Sequence, residues 1–166
     1  MKLHVTRHFE TPLLPVYERF SSEAFFHQRY AQSGITDYQI RQFGTQGDAH
    51  VIRIEFQPVL DLSYLPKAAR HWVGDKQRMQ FEMRWQAMSE KEFRGHFVYH
   101  SNDFPVRVSG EVQLVAQSIG CRYLADVSVA CSIPVFGAFA AKAIGERTGQ
   151  EMEADLNALA GYFTSA

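Results

Sequence analysis

The side chains able to do chemistry in this 166-residue chain come in small sets, and spacing decides what each set can do. His4 and His8, and again His96 and His100, stand four residues apart, the spacing by which two imidazoles on a helix chelate one ion. Both pairs fall where polar and apolar residues alternate, as in a strand. Four strand residues span ~13 Å, too far for a single ion with bonds of ~2 Å. The histidines are therefore expected on exposed sheet faces, and no metal site is assigned, although ligands from neighbouring strands can still converge. Cys121 and Cys131 lie at the two ends of another alternating stretch, ~33 Å apart at strand rise, whereas a disulfide needs Cα atoms within about 7 Å. Neither thiol has a histidine nearby in sequence to act as its base, and there is no Gly-x-Ser-x-Gly turn. Asp61, Asp103 and Asp126 remain as candidates for acid–base work.

A different kind of signal lies near the end of the chain. AIGERTGQEMEADL reads as helix, yet it holds Gly145 and Gly149, each costing about 1 kcal/mol of helix stability relative to alanine. At ~100° per residue, Gly145, Gly149, Met152, Leu156, Leu159 and Phe163 fall on one stripe, while Lys142, Glu146, Gln150, Glu153 and Asn157 fall on another side. The apolar face is thus bare of side chains for one turn. Either a large side chain or a close backbone fills the gap, as small residues commonly permit, or the space belongs to a pocket. Neither glycine precedes a helix N-terminus, which excludes a phosphate-binding loop.

The elements that must position these residues follow from periodicity. Residues 2 to 9 alternate with period two and put Leu3, Val5, Arg7 and Phe9 on one face. Thr11 and Pro12 open a first short helix, with the threonine placed to cap it, and Ser21 or Ser22 caps a second, EAFFHQRYAQ, which Ser33 and Gly34 end. ITDYQIRQF and AHVIRIEFQ resume period two around the turn GTQGD. Residues 58 to 75 then break the pattern with two prolines and a glycine, and PKAARHW is expected to make about two helical turns inside a long connection over one end of the sheet. Four further strands follow, the clearest being QRMQFEMRWQAM, where Met79, Phe81, Met83 and Trp85 oppose Gln80, Glu82, Arg84 and Gln86. A long helix from about Val135 to Phe163 closes an α+β chain of seven antiparallel strands.

Composition narrows the partners. Lys plus Arg total 17 against 18 for Asp plus Glu, and no run of five like charges draws the protein to nucleic acid or an anionic membrane. The arginines and aromatics of QRMQFEMRWQAM alternate onto opposite faces, which argues against a stacking platform for single-stranded nucleic acid. MKLHVTRHFE shows no apolar signal core, and no stretch approaches ~18 apolar residues, so a cytoplasmic location with reduced thiols is expected and no integral membrane segment. Without repeat or linker, the chain reads as a single domain over 1–166, a length that buries roughly 70% of its unfolded surface. No cofactor is implied, and the sequence is silent on oligomeric state.

The order of strand, two short helices, six strands and one long helix resembles the START-like superfamily, also called the helix-grip or SRPBCC group. The resemblance is most specific in SIPVFGAFAAKAIGERTGQEMEADLNALAGYF, and that stretch, with VLDLSYLPKAARHWVGD, looks like the bacterial family called domain of unknown function 2505. The resemblance implies a curved sheet gripping the long helix around a hydrophobic cavity, which in relatives takes lipids, sterols, quinones or polyketides. Some relatives are aromatase/cyclases, but no fixed catalytic motif transfers to positions here.

If the cavity exists, the inward faces name its wall. Strands contribute Tyr38, Ile54, Phe81, Met83 and Trp85, followed by Phe97, Tyr99, Val108 and Tyr123; the helix contributes Gly145, Gly149 and Met152. Such pockets are mainly apolar with a few polar anchors, and Arg7, Tyr99 and Tyr123 are the polar groups facing inward. Arg7 there would receive a carboxylate or carbonyl; at the sheet rim, the more ordinary arrangement, it would pair with an acid. The expected function is binding or transport of a hydrophobic small molecule, with residues 58–75 as a gate. The alternatives are a cyclase, dehydratase or hydrolase using the same cavity, and a protein-interaction module accepting a partner helix.

Overall fold

Alternating sequence becomes a single sheet because each strand has one apolar face to bury. A computed structural model describes residues 1–59, 61–63, 65–71 and 77–165. The chain runs β1 (Lys2–Phe9), α1 (Leu13–Phe20), α2 (Glu23–Gln32), β2 (Tyr38–Gln46), β3 (Ala49–Phe56), α3 (Lys67–Arg70), β4 (Met79–Ser89), β5 (Glu92–His100), β6 (Val106–Ala116), β7 (Cys121–Cys131) and α4 (Gly137–Thr164). All pairings are antiparallel, in the order β1-β7-β6-β5-β4-β3-β2. α1 and α2 carry the chain from one sheet edge to the other, which is why β1 pairs with the last strand and not with β2.

Register stacks the apolar side chains into rows across the concave face. One row runs Ile54, Phe81, Tyr99, Val108 and Val129. Another runs Ile52, Met83, Phe97, Gly110, Val127 and Leu3. Gly110 is required there, since a β-carbon at that position would lie 2.6 Å from the Phe97 ring. α4 packs across β7 and β1 at the other end of these rows, burying Ala141, Leu156 and Leu159. This is the helix-grip arrangement that the element order implies.

Local details of the helices depart from expectation in two places. The first helix is capped by Pro12 without a side-chain bond, so Thr11 lies outside the capping position. Ser22 does cap α2, its Oγ accepting from the Phe25 amide at 3.2 Å. α3 is a single turn, Lys67–Arg70, where two turns were expected; Leu60, Tyr64 and residues 72–76 of that connection lie outside the described residues. Among the described residues, no helix is long and apolar enough to cross a membrane.

Candidate functional site

The concave face is wider than α4, and the uncovered part becomes a cavity of about 530 Å³. Its floor is β4 and β5, where Phe81, Met83, Trp85, Phe97 and Tyr99 point inward. Val108 and Tyr123 border it from β6 and β7, and α2 closes one side with Phe25, Phe26, Arg29 and Tyr30. Pro58, Val59 and Asp61 lie along the mouth. This volume suits a drug-sized molecule, and the wall is mostly aromatic.

The α4 wall differs from the expected one. Ile144, Thr148, Glu151, Met152 and Asp155 are among the α4 residues that border the cavity; on a helical wheel these five centre about 75° from Gly145. The glycine stripe turns instead toward β1. Gly145 is buried under the Met1 side chain, which a β-carbon at that position would meet, and the Met1 ammonium donates to the Val129 carbonyl at 2.8 Å. A β-carbon on Gly149 would meet nothing within 4 Å, yet Gly149 is absent from the cavity wall. The reason is the position of the helix: α4 lies over the edge strands, so its most apolar stripe seals the core and its flank walls the cavity.

Three other expected wall residues also stand elsewhere. Arg7 is on the edge strand and reaches over the rim to α4, donating to Asn157 Oδ1 at 2.9 Å and lying 3.9 Å from Glu153; it does not border the cavity. Ile54 is buried in the core and does not border the cavity. Tyr38 sits toward the β2 edge, its hydroxyl bonded to His27 at 2.5 Å and its ring 4.8 Å from that of Tyr30. Phe81, Met83, Trp85, Phe97, Tyr99, Val108, Tyr123 and Met152 do border the cavity.

The main polar feature of the cavity is an ion pair. Arg29 Nε lies 3.1 Å from Asp155 Oδ2, with side chains only 18% and 13% exposed. The guanidinium sits 5.7 Å from the Tyr99 ring centre and 5.9 Å from that of Phe81, within cation–π range. Burial opposes the Arg29 charge, but the Asp155 carboxylate beside it more than compensates, so the guanidinium stays protonated. Burial pushes the Asp155 carboxyl above its usual range, with Arg29 pulling the other way and losing. Burial likewise raises the hydroxyls of Tyr30, Tyr99 and Tyr123, which therefore stay protonated. The Tyr30 hydroxyl is buried and has no hydrogen-bond partner among the described residues.

Sequence reading missed Arg29, Tyr30 and Asp155. A signal was present: Phe25 and Arg29, like Phe26 and Tyr30, are four apart on α2 and share a face, which puts an arginine among aromatics. Asp155 falls only about 60° from Met152 on α4, at the margin of the apolar stripe.

Most of the other reactive residues point away from the cavity or are inert, and Asp61 stands at its mouth. On the convex face His4 pairs with Asp126 and His96 with Glu111, each at 2.7 Å and more than half exposed. No group of three His, Cys, Asp or Glu side chains suited to a metal forms among the described residues. Burial pushes the Cys121 thiol up to about 11, which leaves it unreactive. The Ser63 side chain, and after it the Ser63 amide donating at 2.9 Å, hold the Asp61 carboxyl below the usual range. Asp103 lies in the β5–β6 turn, its amide bonded to Ser101 Oγ at 3.1 Å.

Comparison with known proteins sets the chain among relatives of the same shape. The family model described as "Protein of unknown function (DUF2505)" matches residues 4–162. No curated protein matches the chain significantly. Among solved structures, the protein TTHA0849 from Thermus thermophilus superposes with a TM-score of 0.65 at 17% identity, over 96% of this chain and 94% of that one. Ara h 8.0201 gives 0.61 at 14% identity, over 100% and 99%. An uncharacterized protein from Rhizobium leguminosarum gives 0.59 at 15% identity, over 100% and 95%. At these identities the shared property is the fold.

Proposed function

The chain belongs to the DUF2505 family of proteins of unknown function, and we propose that its activity is to bind a hydrophobic small molecule between the sheet and α4. The observation that carries this reading is the cavity of about 530 Å³ walled by aromatic side chains. A space of that size in a well-packed interior forfeits contacts that filling side chains would have made, and a ligand restores them. Burial of apolar ligand surface contributes about 25 cal/mol per Å² before the costs of association. Entry runs past Pro58 and Val59, just after β3, where Arg147 donates to the Val59 carbonyl at 3.3 Å and pairs with Glu151 at 3.0 Å. Opening there breaks exposed contacts, which are weak.

Native mass spectrometry of gently purified protein, followed by organic extraction, tests the proposal. The expected result is a small apolar molecule bound one to one, absent from a Val108→Trp variant that fills the cavity. Bare chain mass, together with no uptake of an added apolar probe such as 2-ethylnaphthalene, would overturn it.

A further inference from the structure

The polar corner of the cavity defines what the ligand carries. Arg29, Tyr30, Tyr99 and Tyr123 border it and carry donors, with the Tyr99 hydroxyl bonded to Arg29. The acceptor of matching depth is Asp155, which is committed to Arg29 at 3.1 Å. The corner is therefore rich in donors and already neutral in charge. A ligand carboxylate entering it would face the buried Asp155 carboxylate, and one guanidinium would have to serve two anions. A cationic ligand would face Arg29. An uncharged ligand with an oxygen acceptor meets neither penalty, and a small turn of the Tyr30 ring that brings its hydroxyl, buried without a partner among the described residues, to the cavity surface lets the ligand satisfy it.

Resting on the binding function proposed above, we infer that the ligand is an uncharged apolar molecule bearing a carbonyl or similar oxygen, which accepts a hydrogen bond from Tyr30 beside the Arg29–Asp155 pair. The aromatic floor of Phe81, Trp85 and Phe97 takes its apolar body. The raised hydroxyl of Tyr30 keeps its proton, and so its donor, at any ordinary pH.

Three probes of nearly one shape separate the possibilities by calorimetric titration: 2-ethylnaphthalene, 2-acetylnaphthalene and 2-naphthoate. The native protein is expected to bind the ketone about tenfold more tightly than the hydrocarbon, the scale of one net hydrogen bond, and to bind the carboxylate most weakly. Tyr30→Phe is expected to bring the ketone down to the level of the hydrocarbon, which itself is unchanged. Asp155→Asn leaves Arg29 unpaired and is expected to reverse the order, making 2-naphthoate the tightest probe and raising the melting temperature of that variant on binding. The ranking in the native protein stands even where a variant folds poorly. Equal affinity for hydrocarbon and ketone, or the carboxylate binding best to the native protein, would overturn this inference while leaving the cavity a binding site. No binding of any probe would overturn both.

Discussion

The two sides of α4 meet the same sheet in opposite ways. Toward β1 and β7, the stripe of Ala141, Gly145, Leu156 and Leu159 is sealed, down to Met1 filling the notch over Gly145. A quarter turn around the helix, Thr148, Glu151 and Asp155 look into open volume. Close packing thus occurs where the helix is most apolar, and the cavity where it is mixed. A bundle of apolar side chains collapses on itself, whereas a buried ion pair holds space open, because closing over it would leave charges poorly solvated. The Arg29–Asp155 pair bridges α2 and α4 beside that open volume.

The largest expected effect attacks that pair. Asp155→Asn should cost about 3–4 kcal/mol in urea-induced unfolding, since it strands a buried guanidinium that cannot shed its proton. Arg29→Met should cost clearly less, because the remaining carboxyl can take up a proton. Next come two truncations on the same helix. Leu156→Ala, in the sealed region at 1% exposure, should cost about 3 kcal/mol. Met152→Ala, bordering the cavity, should cost about half that, since one side of its side chain already lacks packing partners. Equal losses would mean that the cavity is closed in solution.

The glycines give a smaller contrast. Gly149→Ala should stabilise by about 0.5–1 kcal/mol in thermal unfolding, because its β-carbon meets nothing within 4 Å, and probe binding should not change. Gly145→Ala should gain less, since the Met1 thioether must move. The smallest effect is in pH dependence. The folded protein holds the Asp155 proton more tightly than the unfolded chain does. The contribution of this group to stability is therefore greatest below the ordinary aspartate value of 3.8 and declines as pH rises through the raised native value. Denaturation of Asp155→Asn across that window should lack this declining component.

Much of the fold is legible in sequence because period-two faces are local: a strand such as Met79–Ser89 announces its inner side without reference to its neighbours. The strand side of the cavity wall follows from those faces. The helix side does not, because an amphipathic wheel gives the most apolar direction, and only the tertiary position of α4 over β1 and β7 says that this direction meets closed core. Arg7 shows the same limit, since its inward face is correct but it stands on an edge strand and pairs over the rim. Arg29 on α2 and Asp155 on α4 stand 126 residues apart in sequence. Each looks like one more surface charge until the fold brings them together.

Whether the space beside α4 receives an apolar ketone can be seen by diffraction from crystals soaked with 2-acetyl-6-bromonaphthalene, with data collected at the bromine edge. A single strong anomalous peak among Trp85, Phe97 and Met83 is expected, with the ketone oxygen within hydrogen-bonding distance of the Tyr30 hydroxyl. An empty or collapsed cavity at saturating probe, with α4 drawn down onto β4 and β5, would refute the binding site itself.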